Sequence, residues 1–168
     1  MKKILTIVLT LAILGVVGVI IVSMAKKDAP IVVVKGNKEH KPLPIKLHKT
    51  NDTQCAMLIE TEKNAAEVVS PDGRTWFFDD PGCMVLWLKD KPFKDKATLW
   101  VKTLDTNKWV NAREAKYRVD YFHSAMHYGF AAIEKDNNKT IDFNEMSLRM
   151  LRGQTLANPK WRKKILGK

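Results

Sequence analysis

Cys55 and Met57 lie one residue apart and offer two soft sulfur donors. A thiolate and a thioether prefer Cu(I) to hard cations such as Mg²⁺ or Ca²⁺. If the segment is extended, side chains at i and i+2 project to the same side, so both sulfurs reach one ion. The triplet Ser124-Ala125-Met126 keeps the Met and replaces the Cys. The spacing therefore predicts a Cu(I) site built on Cys55 and Met57.

Three further side chains are candidates to complete this site. Met126 is the first, because the second triplet places it where Met57 lies in the first. His123 and His127 flank Met126, and imidazole also binds copper. The alternative for either Met is ordinary core packing. The predicted metal ligands are thus Cys55, Met57, Met126, His127 and His123.

The second cysteine gives Cys55 another fate. Cys55 and Cys83 are the two cysteines of the chain. In an oxidising compartment such a pair is a candidate disulfide, which would remove Cys55 from a metal site. Cys83 lies early in a predicted helix among apolar residues, where a buried free thiol is the simplest interpretation. Metal ligand and disulfide partner both stay open for Cys55.

An uncharged apolar segment, residues 4–24, precedes these residues. At helical rise it covers about 30 Å, the thickness of the hydrocarbon core. A cleavable signal peptide has a shorter apolar region, about 7–15 residues. We therefore expect a retained single-pass anchor in the inner (cytoplasmic) membrane, with cleavage near Ser23-Met24-Ala25 as the alternative. The basic start is typical of export, so the domain is expected to face the periplasm or the outside.

The net charge of +11 does not indicate a nucleic-acid partner, because an exported domain does not normally meet nucleic acid. Residues 160–168 carry Lys and Arg without any acidic residue. This segment is interpreted either as a solvated basic tail or as a contact to anionic lipid headgroups. The chain has no Ser-His-Asp order, no P-loop and no zinc-ligand spacing. We therefore expect a protein that is not an enzyme.

Four segments follow from the patterning. Residues 1–27 are the anchor, 28–46 a linker with Pro42 and Pro44, 47–153 the folded domain, and 154–168 a basic tail. Pro71-Asp72-Gly73 predicts a turn between strands Glu67–Ser70 and Arg74–Phe78. Asp79 or Asp80 then caps a helix with Pro81 in its first turn. Ala97–Thr103 is another strand by its β-branched and aromatic content.

The later part of the domain repeats this order. Tyr117–Tyr121 and Gly129–Glu134 are predicted strands, followed by a turn at residues 136–139, a strand Thr140–Phe143 and a helix capped by Asn144. The predicted fold class is therefore α+β, with two similar β-β-α(-β) units, about 51–104 and 116–152, packed together. An N-terminal transmembrane helix precedes them.

The combination of these motifs resembles the accessory-protein family of nitrous oxide reductase, the NosL-type copper chaperones. The resemblance spans roughly residues 51–153. It rests on the order of five pieces: Cys55-Ala56-Met57, Pro71-Asp72-Gly73, Phe78-Asp79-Asp80 with Cys83, Trp109-Val110-Asn111-Ala112 with Ala115 and Tyr117, and Met126 before Gly129-Phe130-Ala131. It implies that Cys55, Met57 and Met126 bind Cu(I).

The chain also departs from that family. Its members are commonly lipoproteins, and here no cysteine stands at the end of the apolar leader to take a lipid. The family's second loop often reads Thr-Pro-Met-Gly, whereas this one reads Ser124-Ala125-Met126-His127. The resemblance implies Cu(I) delivery to nitrous oxide reductase, a similar copper enzyme or another copper-handling assembly protein. The alternative is a non-catalytic, anchored structural or protein-interaction domain stapled by a Cys55–Cys83 disulfide.

Overall fold

The computed structural model describes residues 2–27, 29–135 and 139–167, with the side chains of residues 2 and 25–27 outside the description. Helix α1, Lys2–Lys27, contains a predominantly apolar stretch, Lys3–Met24, with a mean hydropathy of 3.0. Its 22 residues are long enough to cross a bilayer. The predicted N-terminal apolar helix is confirmed.

The folded unit begins at Ile31, directly after the unit that contains α1. Strand β1, Val33–Val34, is paired within this unit, and Ile31 bridges Thr50. Ile45 is buried in a small cluster with Ile59 and Phe77. The predicted linker, 28–46, is therefore wrong for most of its length, because residues from Ile31 onward are paired or packed into the fold.

A five-stranded antiparallel sheet organises the first half of the folded unit. Its other strands are β2 Ala66–Val69, β3 Thr75–Phe78, β4 Thr98–Lys102 and β5 Trp109–Asn111, in the order β1-β3-β2-β4-β5. The Pro71-Asp72-Gly73 turn joins β2 to β3, and Gly73 has a φ of +78°. The predicted hairpin and the predicted strand within Ala97–Thr103 are confirmed.

One helix packs against strands β2 and β3 of this sheet, and a second helix packs against the first. Helix α2, Pro81–Leu88, begins at the cap Asp80, whose side chain accepts a hydrogen bond from the Gly82 N–H. Helix α3, Phe143–Leu151, packs against α2 and is capped by Asp142, not by Asn144 as predicted. The main core lies between helices and sheet and includes Val68, Phe78, Met84, Leu99, Tyr117 and Met146.

The predicted second hairpin is not formed among the described residues. Strand β6, Lys116–Arg118, pairs with β7, Ala131–Ile133, and Tyr117 also bridges Ile141 on its other side. Tyr117 thus separates β7 from Ile141, whereas β2 and β3 pair directly. Residues 136–138 of the predicted turn, 136–139, lie outside the described residues. The α+β class is confirmed and the two-unit repeat is not.

The predicted basic tail, 154–168, is structured over most of its length. Leu156 is buried and its N–H donates to the Tyr128 carbonyl at 3.0 Å. Helix α4, Pro159–Leu166, then begins at the cap Asn158. The C-terminal segment is therefore part of the folded unit.

Leu156 leaves no space for a side chain at Gly129. Gly129 has a φ of +91°, and a Cβ there would lie 2.5 Å from Leu156 Cγ and 2.8 Å from the Val119 carbonyl oxygen. We expect Gly129→Ala to lower the free energy of unfolding by about 3 kcal/mol, through overpacking added to backbone strain. Urea denaturation of the full chain in detergent, followed by Trp fluorescence, measures this loss.

Gly153→Ala is the matched control. Gly153 has a φ of +66° but open space around its missing Cβ. It should lose only the strain energy, about 1 kcal/mol. Equal losses in the two variants would contradict the packing described at Gly129.

Candidate metal centre

The loop that carries Cys55 is organised by Asp52. One oxygen of Asp52, Oδ1, accepts hydrogen bonds from the N–H groups of Gln54 at 2.6 Å and Cys55 at 2.9 Å. The Asp52 N–H donates to the Met57 carbonyl at 2.8 Å, and Ala56 has a φ of +62°. Cys55-Ala56-Met57 is therefore a tight turn. The extended segment expected from the sequence is wrong, and strand alternation does not place the Cys55 and Met57 sulfurs on one side.

Asp52 also ties this loop to the start of α2. Its second oxygen, Oδ2, accepts the Asp79 N–H at 2.9 Å. Asp79 directly precedes the cap Asp80, and Cys83 is the third residue of α2. The same carboxylate thus holds the backbone of the Cys55 loop and the backbone before α2 together. This arrangement brings residues from two distant parts of the sequence to one place.

Four side chains meet at this junction. Ligand atoms of Asp52, Cys55, Asp79 and Cys83 all lie within 4.8 Å of one another. Cys83 and the two carboxylates are buried, and Cys55 is half-buried. Both cysteines are free thiols. Two thiols and two carboxylates at this spacing form a candidate metal centre, since one ion with ligand bonds of about 2.0–2.3 Å bridges such separations.

The electrostatics of the junction favour a cation. Burial first, and then the Asp52 charge, raise the pKa of Asp79. Burial, with Asp52 and Asp79 adding to it, raises the pKa of Cys55 to about 11 and that of Cys83 further. The charged groups that act most strongly on these side chains are all acidic. Asp79 Oδ1 is buried and has no hydrogen-bond partner among the described residues.

The loop that carries Met126 approaches the same helix end. Asp80 is fully buried, and its carboxylate lies close to the Ser124 hydroxyl and the Met126 N–H. Met126 is half-buried and packs on the main core, as does Cys55. Tyr128 follows on this loop, and its ring would lie 2.5 Å from a Cβ added at Gly82. The structure therefore brings Met126 to the α2 end that carries Cys83.

The remaining predicted ligands surround an open cleft or lie outside it. The cleft has a volume of about 810 Å³, and Met57, His123 and Asp79 are among its lining residues. Asp79 also belongs to the four-residue cluster, so the cleft reaches the candidate centre. Met57 is 42% exposed. His127 is exposed, and its Nδ1 lies 3.2 Å from the Phe122 carbonyl oxygen. His127 is not among the residues that line the cleft.

The sequence predicts neither Asp52, Asp79 nor Cys83 as a metal ligand. It predicts Asp79 as a possible helix cap, and Cys83 as a buried thiol or disulfide partner. One signal in the sequence could have indicated these ligands: Cys83 lies within four residues of two consecutive Asp residues, Asp79 and Asp80, at the start of the helix. A carboxylate three residues before Cys55 was the second signal, because Asp commonly bonds to N–H groups two or three residues on.

Comparisons with family models, with characterised proteins and with solved structures found no match to this chain. The assignment of the candidate centre therefore depends on the geometry and chemistry of this chain's residues alone.

The buried acids predict an unusual pH dependence for the metal-free protein. Burial raises the pKa of Asp80 to about 7, whereas an unfolded Asp titrates near pH 4. Between these values the folded state holds a proton that the unfolded state has released. Asp80 alone should therefore lower the free energy of unfolding by roughly 3 kcal/mol as pH rises from about 4 to 7. Urea denaturation at a series of pH values, with chelator present, measures this fall.

Asp80→Asn should flatten this dependence, since Asn also caps helices but does not titrate. The shares of Asp79 and Glu67 remain, because burial raises the pKa of each to about 8. Asp95→Asn, at an exposed position, is the matched control and should leave the curve unchanged. A metal-free protein that gains stability across this pH range would contradict the uncompensated burial of these acids.

Proposed function

We propose that this chain is a membrane-anchored metallochaperone that binds one Cu(I) outside the cytoplasm and passes it to a copper enzyme. One observation carries the proposal: the sulfurs of Cys55 and Cys83 meet within 4.8 Å beside two buried carboxylates, Asp52 and Asp79. Thiolates are the protein ligands that Cu(I) prefers. In this proposal α1 is the anchor, and the chaperone acts by stoichiometric transfer rather than catalysis.

The unequal exposure of the two cysteines supports transfer. Cys83 is fully buried, so its sulfur would hold the ion from the protein side. Cys55 is half-buried and lies in a loop beside the open cleft. A partner's ligands would enter through this cleft and replace Cys55 first. Met57 and His123 line the cleft, and Met126 packs on the same core as Cys55, so each is a candidate for an additional donor.

The proposed client is nitrous oxide reductase or a similar copper enzyme, or another protein of its copper assembly. This part of the proposal comes from the motif resemblance. The domain would face the periplasm or the outside, because a copper enzyme there needs a Cu(I) donor on the same side. No nucleic-acid partner is proposed.

Anaerobic titration of the reduced full chain in detergent, against a chromogenic Cu(I) chelator, tests the site. We expect one Cu(I) per chain. Cys55→Ser and Cys83→Ala should each weaken Cu(I) binding by more than the roughly 10–100-fold that outer-shell changes cost, since each removes a thiolate. Met126→Leu should weaken binding by about 10-fold.

Met146→Leu is the matched control, because Met146 is buried in the core on α3 and belongs to no part of the site. It should bind Cu(I) as the unaltered chain does. Retained tight binding in Cys83→Ala would sink the two-thiol site. Tighter binding of Zn²⁺ than of Cu(I) would overturn the proposed cargo.

The same sulfur proximity supports a second candidate, the anchored interaction domain stapled by a disulfide. Cys55 and Cys83 are free thiols here, but their sulfurs lie within 4.8 Å, and a movement of a few ångströms reaches the bond length of about 2.05 Å. A thiol count on unreduced, denatured protein separates the two functions. Two free thiols are expected for the metallochaperone, and none for the stapled domain.

A further inference from the structure

Helix α4 is a concentrated cationic surface. Its sequence carries four basic residues, Lys160, Arg162, Lys163 and Lys164, and no acidic residue. All four side chains are exposed. Glu145, which lines a groove together with Lys164, is already paired with Arg149 at 2.7 Å. The positive charge of α4 is therefore not neutralised by that acid.

The contacts of these four residues leave their charge available. Arg162 donates through Nε to the Leu156 carbonyl at 2.8 Å, and Lys164 Nζ lies 4.6 Å from the Trp161 ring centroid. Within the described ranges, 2–27, 29–135 and 139–167, none of the four forms an ion pair. An exposed group of cations without acidic partners binds anions by charge complementarity.

An apolar edge runs beside this charge. Trp161, Ile165 and Leu166 are only half-buried. Trp161 and Ile165 lie against Val119 in a shallow groove of about 390 Å³, so the fold covers them incompletely. Trp prefers the boundary between water and lipid, and Lys and Arg extend their charged ends toward headgroups from the same depth. Cations with an adjacent Trp are typical of a helix that lies at a membrane surface.

We propose that α4 docks on anionic phospholipid headgroups of the bilayer that α1 enters. Three residues, 28–30, connect the end of α1 to the first residue of the folded unit, so α1 would keep lipid within reach. Each Lys or Arg at an anionic surface contributes about a fivefold gain in affinity. The docking depends on the proposed anchoring and is independent of copper, because no residue of α4 belongs to the metal cluster.

The test uses the full chain in nanodiscs of phosphatidylcholine alone or with about one-third phosphatidylglycerol. Lipids brominated on their acyl chains quench any Trp that reaches the bilayer, and Trp161→Phe identifies the share from Trp161. We expect Trp161 to be quenched in the anionic discs and at least fivefold less in the neutral ones. High salt should remove the difference, because it screens exposed charge.

A triple variant, Lys160→Gln with Lys163→Gln and Lys164→Gln, should abolish the quenching. The matched control, Lys38→Gln with Lys49→Gln and Lys96→Gln, changes three exposed lysines elsewhere and should retain the quenching of Trp161. Equal quenching in both disc types overturns the proposal. Loss of quenching in the control variant also overturns it. The same holds if Trp161 stays unquenched while α4 binds an acidic protein or nucleic acid. A chain that fails to enter nanodiscs at all overturns the anchoring instead, and the copper titration is unaffected by either result.

Discussion

The hydrogen bonds of Asp52 are the constraint on which the candidate centre depends. Its two oxygens fix the Cys55 loop on one side and the Asp79 backbone before α2 on the other. Without this bridge, nothing in the local sequence would hold Cys55 near Cys83. The carboxylate is buried and accepts three N–H groups, so it favours one arrangement of both segments. Metal binding in this account is therefore a property of the fold, and not of the Cys-x-Met triplet alone.

The acidity of the junction explains why a cation suits it. Asp52, Asp79 and Asp80 are buried within one short region, and the last two have raised pKa values. Burying carboxylates without a counter-charge costs free energy, and a fold normally avoids it. An ion held between the two thiolates would supply the missing positive charge. The buried acids that cost free energy in the metal-free protein therefore also favour metal binding, because the ion neutralises them.

Local signals predicted the parts of the fold that local chemistry determines. The Pro71-Asp72-Gly73 turn, the Asp80 cap and the apolar α1 were all readable from the sequence. Pairing across long distances was not readable: Tyr117 lies between β7 and Ile141, which the apparent repeat had joined as a hairpin. Cys55 was predicted as a ligand, but its loop conformation depends on Asp52 accepting bonds from Asp79, a contact 27 residues away in the chain. Cys83 was missed as a ligand for the same reason.

The central claim is that Cys55 and Cys83 hold one ion between them. X-ray absorption at the copper edge of the Cu(I)-loaded full chain measures this most directly, because it counts the sulfur atoms bound to copper. We expect at least two sulfur ligands in the unaltered chain, and one fewer in Cys83→Ala. A sulfur count that is unchanged in Cys83→Ala would contradict it, since copper would then be bound without the buried thiol.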